Sequence, residues 1–183
     1  DVDLVAIEII EKCNLYCDFC VRNARRDLKG QLSLVQFKNW VTIAKNAFPA
    51  LEQIALTGGE PFLHSNLFDF LQVIQSAGLR ASITTNGTVL NADLLRKIRE
   101  LNCCHLLVSL DGPLAEIHDT IRELKGAFQK SINFIEFIRE LGFPFYINMT
   151  VNEKNYTHVY DTCKLACDVG AVDISVALVK PHG

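Results

Sequence analysis

At 183 residues, 49% of them hydrophobic, the chain has the size of one domain and enough apolar side chains to bury a core without covalent staples. Its formal charge of −3 comes from 18 Lys and Arg interspersed with 21 Asp and Glu, which leaves no basic stripe for nucleic acid and no polybasic segment for anionic lipid. No apolar run approaches the ~20 residues of a membrane-spanning helix, and Asp1-Val2-Asp3 lacks the basic and apolar regions of a signal peptide, so a cytoplasmic location is the simplest expectation.

Val5 to Ile10, apolar and β-branched, predicts a first buried strand. It leads directly into Cys13, Cys17 and Cys20. Ser33 with Gln36 three residues later is a capping box, and Phe37, Trp40, Val41, Ala44 and Phe48 then form one helical stripe. Gln53 to Leu56 predicts strand two, running into Thr57-Gly58-Gly59-Glu60-Pro61. A second helix opens near Ser65 or Asn66, buries Leu67, Phe70, Leu71 and Ile74, and stops at Gly78 as a left-handed cap. Arg80 to Thr84 is strand three, followed by Thr85-Asn86-Gly87. Asn91 begins a third helix with Leu94, Leu95, Ile98 and Leu101 inward.

Leu106 to Leu110 predicts strand four, closing on Ser109-Leu110-Asp111-Gly112-Pro113. A fourth helix carries Phe128, Ile132, Ile135, Ile138 and Leu141 and ends at Gly142. Phe145 to Val151 is strand five, a fifth helix spans roughly Thr157 to Val169 before Gly170, and Asp173 to Val179 is strand six. Regular alternation of this kind implies an α/β fold with parallel strands joined by right-handed helical crossovers, either an open doubly wound sheet or a curved, barrel-like one. Ligands in such folds bind at the carboxyl ends of the strands, where the Cys13 to Cys20 loop, the Gly58-Gly59 loop, Thr85-Asn86 and Ser109 to Pro113 all fall.

Seven cysteines, an odd number, argue for reduced thiols rather than a disulfide framework. Three of them within eight residues can wrap one inorganic centre from a single loop, and thiolates are soft ligands that suit iron-sulfur clusters or zinc. A closed zinc site would want a fourth ligand nearby, and none is supplied locally. A cubane held by three cysteines leaves one iron open. Cys163 and Cys167, four apart on the fifth helix, are expected to pack as small hydrophobes. Cys103 and Cys104, before strand four, are expected to pack at the opposite end. His64, His105, His118, His158 and His182 show no metal-ligand spacing; each is expected to be satisfied or exposed.

The spacing of Cys13, Cys17, Phe19 and Cys20, Cys-x-x-x-Cys-x-aromatic-Cys, resembles the signature of the radical S-adenosylmethionine (radical SAM) superfamily. Gly58-Gly59-Glu60-Pro61 is similar to that family's glycine-rich motif. The stretch from Ser109 through His118-Asp119 to Arg122, then Lys125-Gly126-Ala127-Phe128, resembles members with a further C-terminal domain of the SPASM or twitch type, among them peptide-modifying enzymes, sulfatase maturases and relatives acting on haem or molybdopterin precursors. The resemblance implies a partial (β/α)6 TIM-like barrel of parallel strands. It also implies that residues 1–183 form a core domain cut from a longer chain, without the C-terminal auxiliary domain.

It implies a [4Fe-4S] cluster on Cys13, Cys17 and Cys20, and S-adenosyl-L-methionine bound through its methionyl end to the open iron. Gly58 and Gly59 would meet the methionyl amino group, supported by Thr57, Glu60 and Pro61, with Thr85 and Asn86 beside them. Ser109 and Arg122 would meet the carboxylate, unless Arg122 is a solvated helix residue paired with Glu123 or Asp119. Asn148 and Thr150 would face the ribose, and Phe19 and Leu178 the adenine. The implied reaction is reductive cleavage to methionine and a 5′-deoxyadenosyl radical, which takes hydrogen from a substrate. That substrate is expected to be a peptide or protein, or else a small tetrapyrrole or nucleotide. The electron would come from a low-potential donor of flavodoxin or ferredoxin type. The reading of another class is a zinc-stabilised binding module without turnover.

Overall fold

In a computed structural model, which describes residues 1–20 and 28–179, six parallel strands form one sheet in the order β1-β2-β3-β4-β5-β6. The strands are β1 (Leu4–Ile10), β2 (Gln53–Gly58), β3 (Arg80–Thr85), β4 (Cys104–Ser109), β5 (Phe145–Val151) and β6 (Ile174–Leu178). Each pairs with its sequence neighbour, and β1 and β6 do not pair, so the sheet stays open as a partial barrel. His182 and the expected end at Lys180 to Gly183 lie outside the described residues.

The helices are α1 (Leu34–Ala47), α2 (Leu67–Ser76), α3 (Ala92–Leu101), α4 (Ala115–Arg122), α5 (Ala127–Glu140) and α6 (Val159–Asp168). Local chemistry sets their ends. The Ser33 side chain accepts from the Gln36 amide while Gln36 reaches back to Ser33, completing the expected capping box. Asn91 caps α3 through the Leu94 amide, and α3 ends where Asn102 turns left-handed at φ 49°. Gly78 takes φ 74° after α2, as its position predicts.

The central strands are covered on both faces. Ala81, Ser82 and Ile83 are consecutive buried residues of β3, as expected of a parallel strand lined by helices on one side and barrel interior on the other. Phe37 of α1 stacks on Phe70 of α2 with centroids 4.1 Å apart, and both are fully buried. The outer strands differ: Ser175 to Leu178 of β6 are exposed.

One element is added and one expectation is corrected. The segment after Pro113, to which no element was assigned, contains α4, which buries His118, Ile121 and Arg122. Cys163 and Cys167 do not pack in the core: α6 buries Thr162 and Ala166 instead, leaving Cys163 half-buried and Cys167 exposed. The inward stripe of α6 is offset by one residue from the cysteine pair.

Candidate functional site

The carboxyl ends of the strands enclose one cavity of about 320 Å³, the size of a small-molecule pocket. Cys13, Cys17 and Cys20 line it together with Thr57, Gly58 and Gly59 after β2, Thr85 and Asn86 after β3, and Ser109 after β4. Phe19, Arg122, Thr150 and Leu178 complete the expected residues found there. Three expected residues are not in the lining. Glu60 and Pro61 are buried behind it, and Asn148 sits half-buried on β5, paired in register with Ser109.

The cysteine loop is held by backbone. The amide of Gly59 donates to Ile10 O at 2.7 Å and that of Glu60 to Lys12 O at 2.9 Å, so the loop after β2 is zipped to the chain entering Cys13. This closeness requires glycine: a Cβ on Gly59 would stand 2.1 Å from Lys12 O, and one on Gly58, at φ 135°, would stand 2.2 Å from Ile10 O. Glu60 is fully buried behind them. Its carboxylate accepts from the amides of Phe62 and Asn86 and from the Thr85 hydroxyl, tying β2 to β3, although burial raises its pKa.

On the other side, Arg122 is 7% exposed, which rules out the solvated surface pairing. Its Nε and Nη2 both lie 2.6 Å from Asp111 Oδ2, and its Nη1 lies 3.7 Å from Cys17 Sγ. The guanidinium carbon stands 5.2 Å from the centre of the Phe19 ring. Burial alone would make Arg122 easier to deprotonate, but Asp111 and Cys17 outweigh it and hold the cation. Burial pushes the Cys17 thiol up to about 11 against the pull of Arg122, and it also raises Cys13. Asp111 is anchored throughout. Its Oδ1 accepts from the Thr150 amide, its carbonyl from Asn155 Nδ2, and its own amide donates to His118 Nδ1.

Asp111, His118 and Asn155 were not singled out as site residues, nor were Leu15, Thr84, Ala177 and Val179, which also line the cavity. The Ser-Leu-Asp-Gly-Pro string drew attention to Asp111; nothing local marks its partners. Asp119, offered as an alternative partner for Arg122, instead accepts from the amides of Gly126 and Phe128 and so holds the start of α5.

The donor set fits a cluster. Three free thiols from one loop line the cavity together, and three soft ligands on one loop suit an iron-sulfur core.

The family profile of the Radical SAM superfamily matches residues 7–166. The chain is 35% identical to an AdoMet-dependent heme synthase of Methanosarcina barkeri, over 98% of this chain and 51% of that protein. It is 28% identical to the subtilosin biosynthesis protein AlbA of Bacillus subtilis, over 96% of this chain and 39% of that one. In fold it is similar to SuiB of Streptococcus suis in its S-adenosylmethionine-bound crystal structure, with a TM-score of 0.84 at 17% identity, covering 98% of this chain and 41% of SuiB. The chain thus spans about half the length of the heme synthases it matches.

Proposed function

The chain belongs to the radical SAM superfamily, whose members use a [4Fe-4S] cluster and S-adenosylmethionine, and from that membership we propose that it is the catalytic core of a longer enzyme that abstracts hydrogen from an organic substrate. The observation that carries this reading is the convergence of Cys13, Cys17 and Cys20 with the Gly58-Gly59 loop and Arg122 on one cavity.

Cys13, Cys17 and Cys20 would hold the cluster. When bound, it supplies the electron for reductive cleavage of S-adenosylmethionine to methionine and a 5′-deoxyadenosyl radical. The chain's own residues bind and orient. Gly58 and Gly59 leave the backbone bare for the methionyl amino group, with Thr57 beside it and Glu60 and Pro61 behind. Ser109 and Arg122, both in the lining, would meet the carboxylate, to which a guanidinium makes charge-assisted hydrogen bonds. Phe19 and Leu178 offer apolar surface for adenine. Thr150 stands for the ribose; Asn148, outside the lining, is a weaker partner for it. The low-potential electron would come from a flavodoxin or ferredoxin type of donor.

For the substrate, two readings have support. The heme synthases that match are 30 to 35% identical over nearly the whole chain, which favours a tetrapyrrole. AlbA, named for bacteriocin biosynthesis, and two PqqA peptide cyclases, at 24 to 28%, favour a peptide. The open sheet leaves a lateral gap between β1 and β6 that a bulky substrate of either kind could use.

Anaerobic reconstitution with iron and sulfide tests the core claim. A brown protein that releases 5′-deoxyadenosine from S-adenosylmethionine under dithionite supports it; a colourless protein with one zinc per chain supports the binding-module alternative. Deuterated tetrapyrrole and peptide substrates then separate the two readings, since deuterium appears in 5′-deoxyadenosine only from the one attacked.

A further inference from the structure

Asn86 was expected to contact S-adenosylmethionine, yet its polar groups are taken up within the protein. Its amide donates to Glu60 Oε2 at 2.8 Å and its carbonyl accepts from Ser131 Oγ at 2.9 Å. In the side chain, Oδ1 accepts from the Thr88 amide at 2.8 Å and from Thr88 Oγ1 at 2.6 Å. A backbone N–H can only donate, so this contact fixes which end of the amide is oxygen. The NH2 end must therefore face the cysteine loop. One hydrogen goes to Asn14 Oδ1 at 3.0 Å and the other to Cys13 Sγ at 3.8 Å. Asn14 Nδ2 returns to Thr88 Oγ1 at 2.7 Å, closing a ring of three side chains between the cysteine loop and the end of β3.

The geometry points to Asn86 as a positioning residue for the cluster, holding Cys13 in place and donating an N–H···S hydrogen bond that raises the cluster's reduction potential. Among the described residues, donors reach two of the three thiols. Cys13 accepts from Asn86 and from the Leu15 amide at 3.5 Å, and Cys17 accepts from Arg122. For Cys20 no such donor is found among the described residues. Reduction adds negative charge to the core and its sulfurs, so a donor aimed at a ligand sulfur stabilises the reduced form more than the oxidised one. Asn86 is 7% exposed, so this dipole acts with little screening by water.

This inference rests on the cluster assignment above, and the experiment separates the two. Wild-type chain and the neutral, near-isosteric Asn86→Leu variant are reconstituted anaerobically and titrated potentiometrically, with reduced-cluster EPR as the readout. The expected result is a cluster in both proteins, with the variant's midpoint shifted to more negative potential. S-adenosylmethionine affinity should fall less than about tenfold, because the polar groups of Asn86, although it borders the cavity, are already paired within the protein. An unshifted midpoint, or an affinity loss beyond that with the midpoint unmoved, overturns the inference and leaves the cluster assignment standing. Failure of the wild type to assemble a cluster overturns the assignment itself. Should the variant fail to fold, wild-type chain labelled with 15N only at asparagine side-chain amides decides. A 15N coupling to the reduced cluster in pulsed EPR is the expected result, and its absence overturns the inference.

Discussion

Arg122 and Asp111 form a buried ion pair at 2.6 Å in which the guanidinium uses two nitrogens on one carboxylate oxygen, leaving its third nitrogen directed at Cys17. The second carboxylate oxygen holds the Thr150 amide. One aspartate thus locks the ends of β4 and β5 to α4 and aims the cation into the cavity.

Asp111→Leu should therefore destabilise the apo chain by about 3–5 kcal/mol, because it leaves a buried guanidinium without its counter-charge. The double variant with Arg122→Leu should recover part of that loss. Urea denaturation of the two single variants and the double variant checks this; a double-variant loss equal to the sum of the single losses would show that the pair is not coupled.

The cysteines divide sharply. Cys13→Ala, Cys17→Ala and Cys20→Ala should each abolish cluster assembly, measured as iron and sulfide per chain after anaerobic reconstitution, while Cys163→Ala should leave both unchanged. Cys163 is on α6, away from the cavity wall.

Two glycines with opposite surroundings give a matched comparison. A Cβ on Gly59 would meet backbone at 2.1 Å, whereas one on Gly78 would meet nothing within 4 Å. Gly78→Ala should cost about 1–2 kcal/mol from its left-handed backbone alone. Gly59→Ala should cost more, since Lys12 O and the following Cys13 must move, and it should lower iron uptake as well. Urea midpoints and iron content distinguish them.

His118 gives the chain an acid-sensitive stability. It is fully buried, and burial, aided by Arg122, depresses its pKa to about 3 from an ordinary 6.5. Between those values the unfolded chain binds the proton and the folded chain does not. Stability should be full above about pH 6.5 and fall by up to ~1.4 kcal/mol for each pH unit below it. The difference in unfolding free energy between pH 7 and pH 5 should be smaller in His118→Gln; an identical difference would mean His118 does not titrate on unfolding.

Strand positions, most helix boundaries and the cysteine loop were legible because each depends on residues close in sequence: short apolar β-branched runs, Ser33 with Gln36, and Cys13 with Cys17 and Cys20; the choice between a doubly wound sheet and a barrel-like one was not. The eight-residue helix α4 was not, since it spans barely two turns and its N-cap, Leu114, makes no side-chain hydrogen bond. The partners of Arg122 were hidden for another reason. Asp111, Thr150 and Cys17 meet it only once β4, β5 and the first loop are side by side, and no local spacing encodes that meeting. The cysteine pair on α6 misled because a four-residue interval says that two side chains share a face without saying which face the core takes.

The sheet runs in strict sequence order, so the cavity draws its lining from the loop after the first strand through to the sixth. Cys13 precedes all six helices of this fold in the chain, and Ala177 and Leu178 join the lining only once β6 pairs with β5. A chain truncated before β6 would keep its three thiols and the Gly58-Gly59 loop but lose the part of the cavity lining that Ala177 and Leu178 provide.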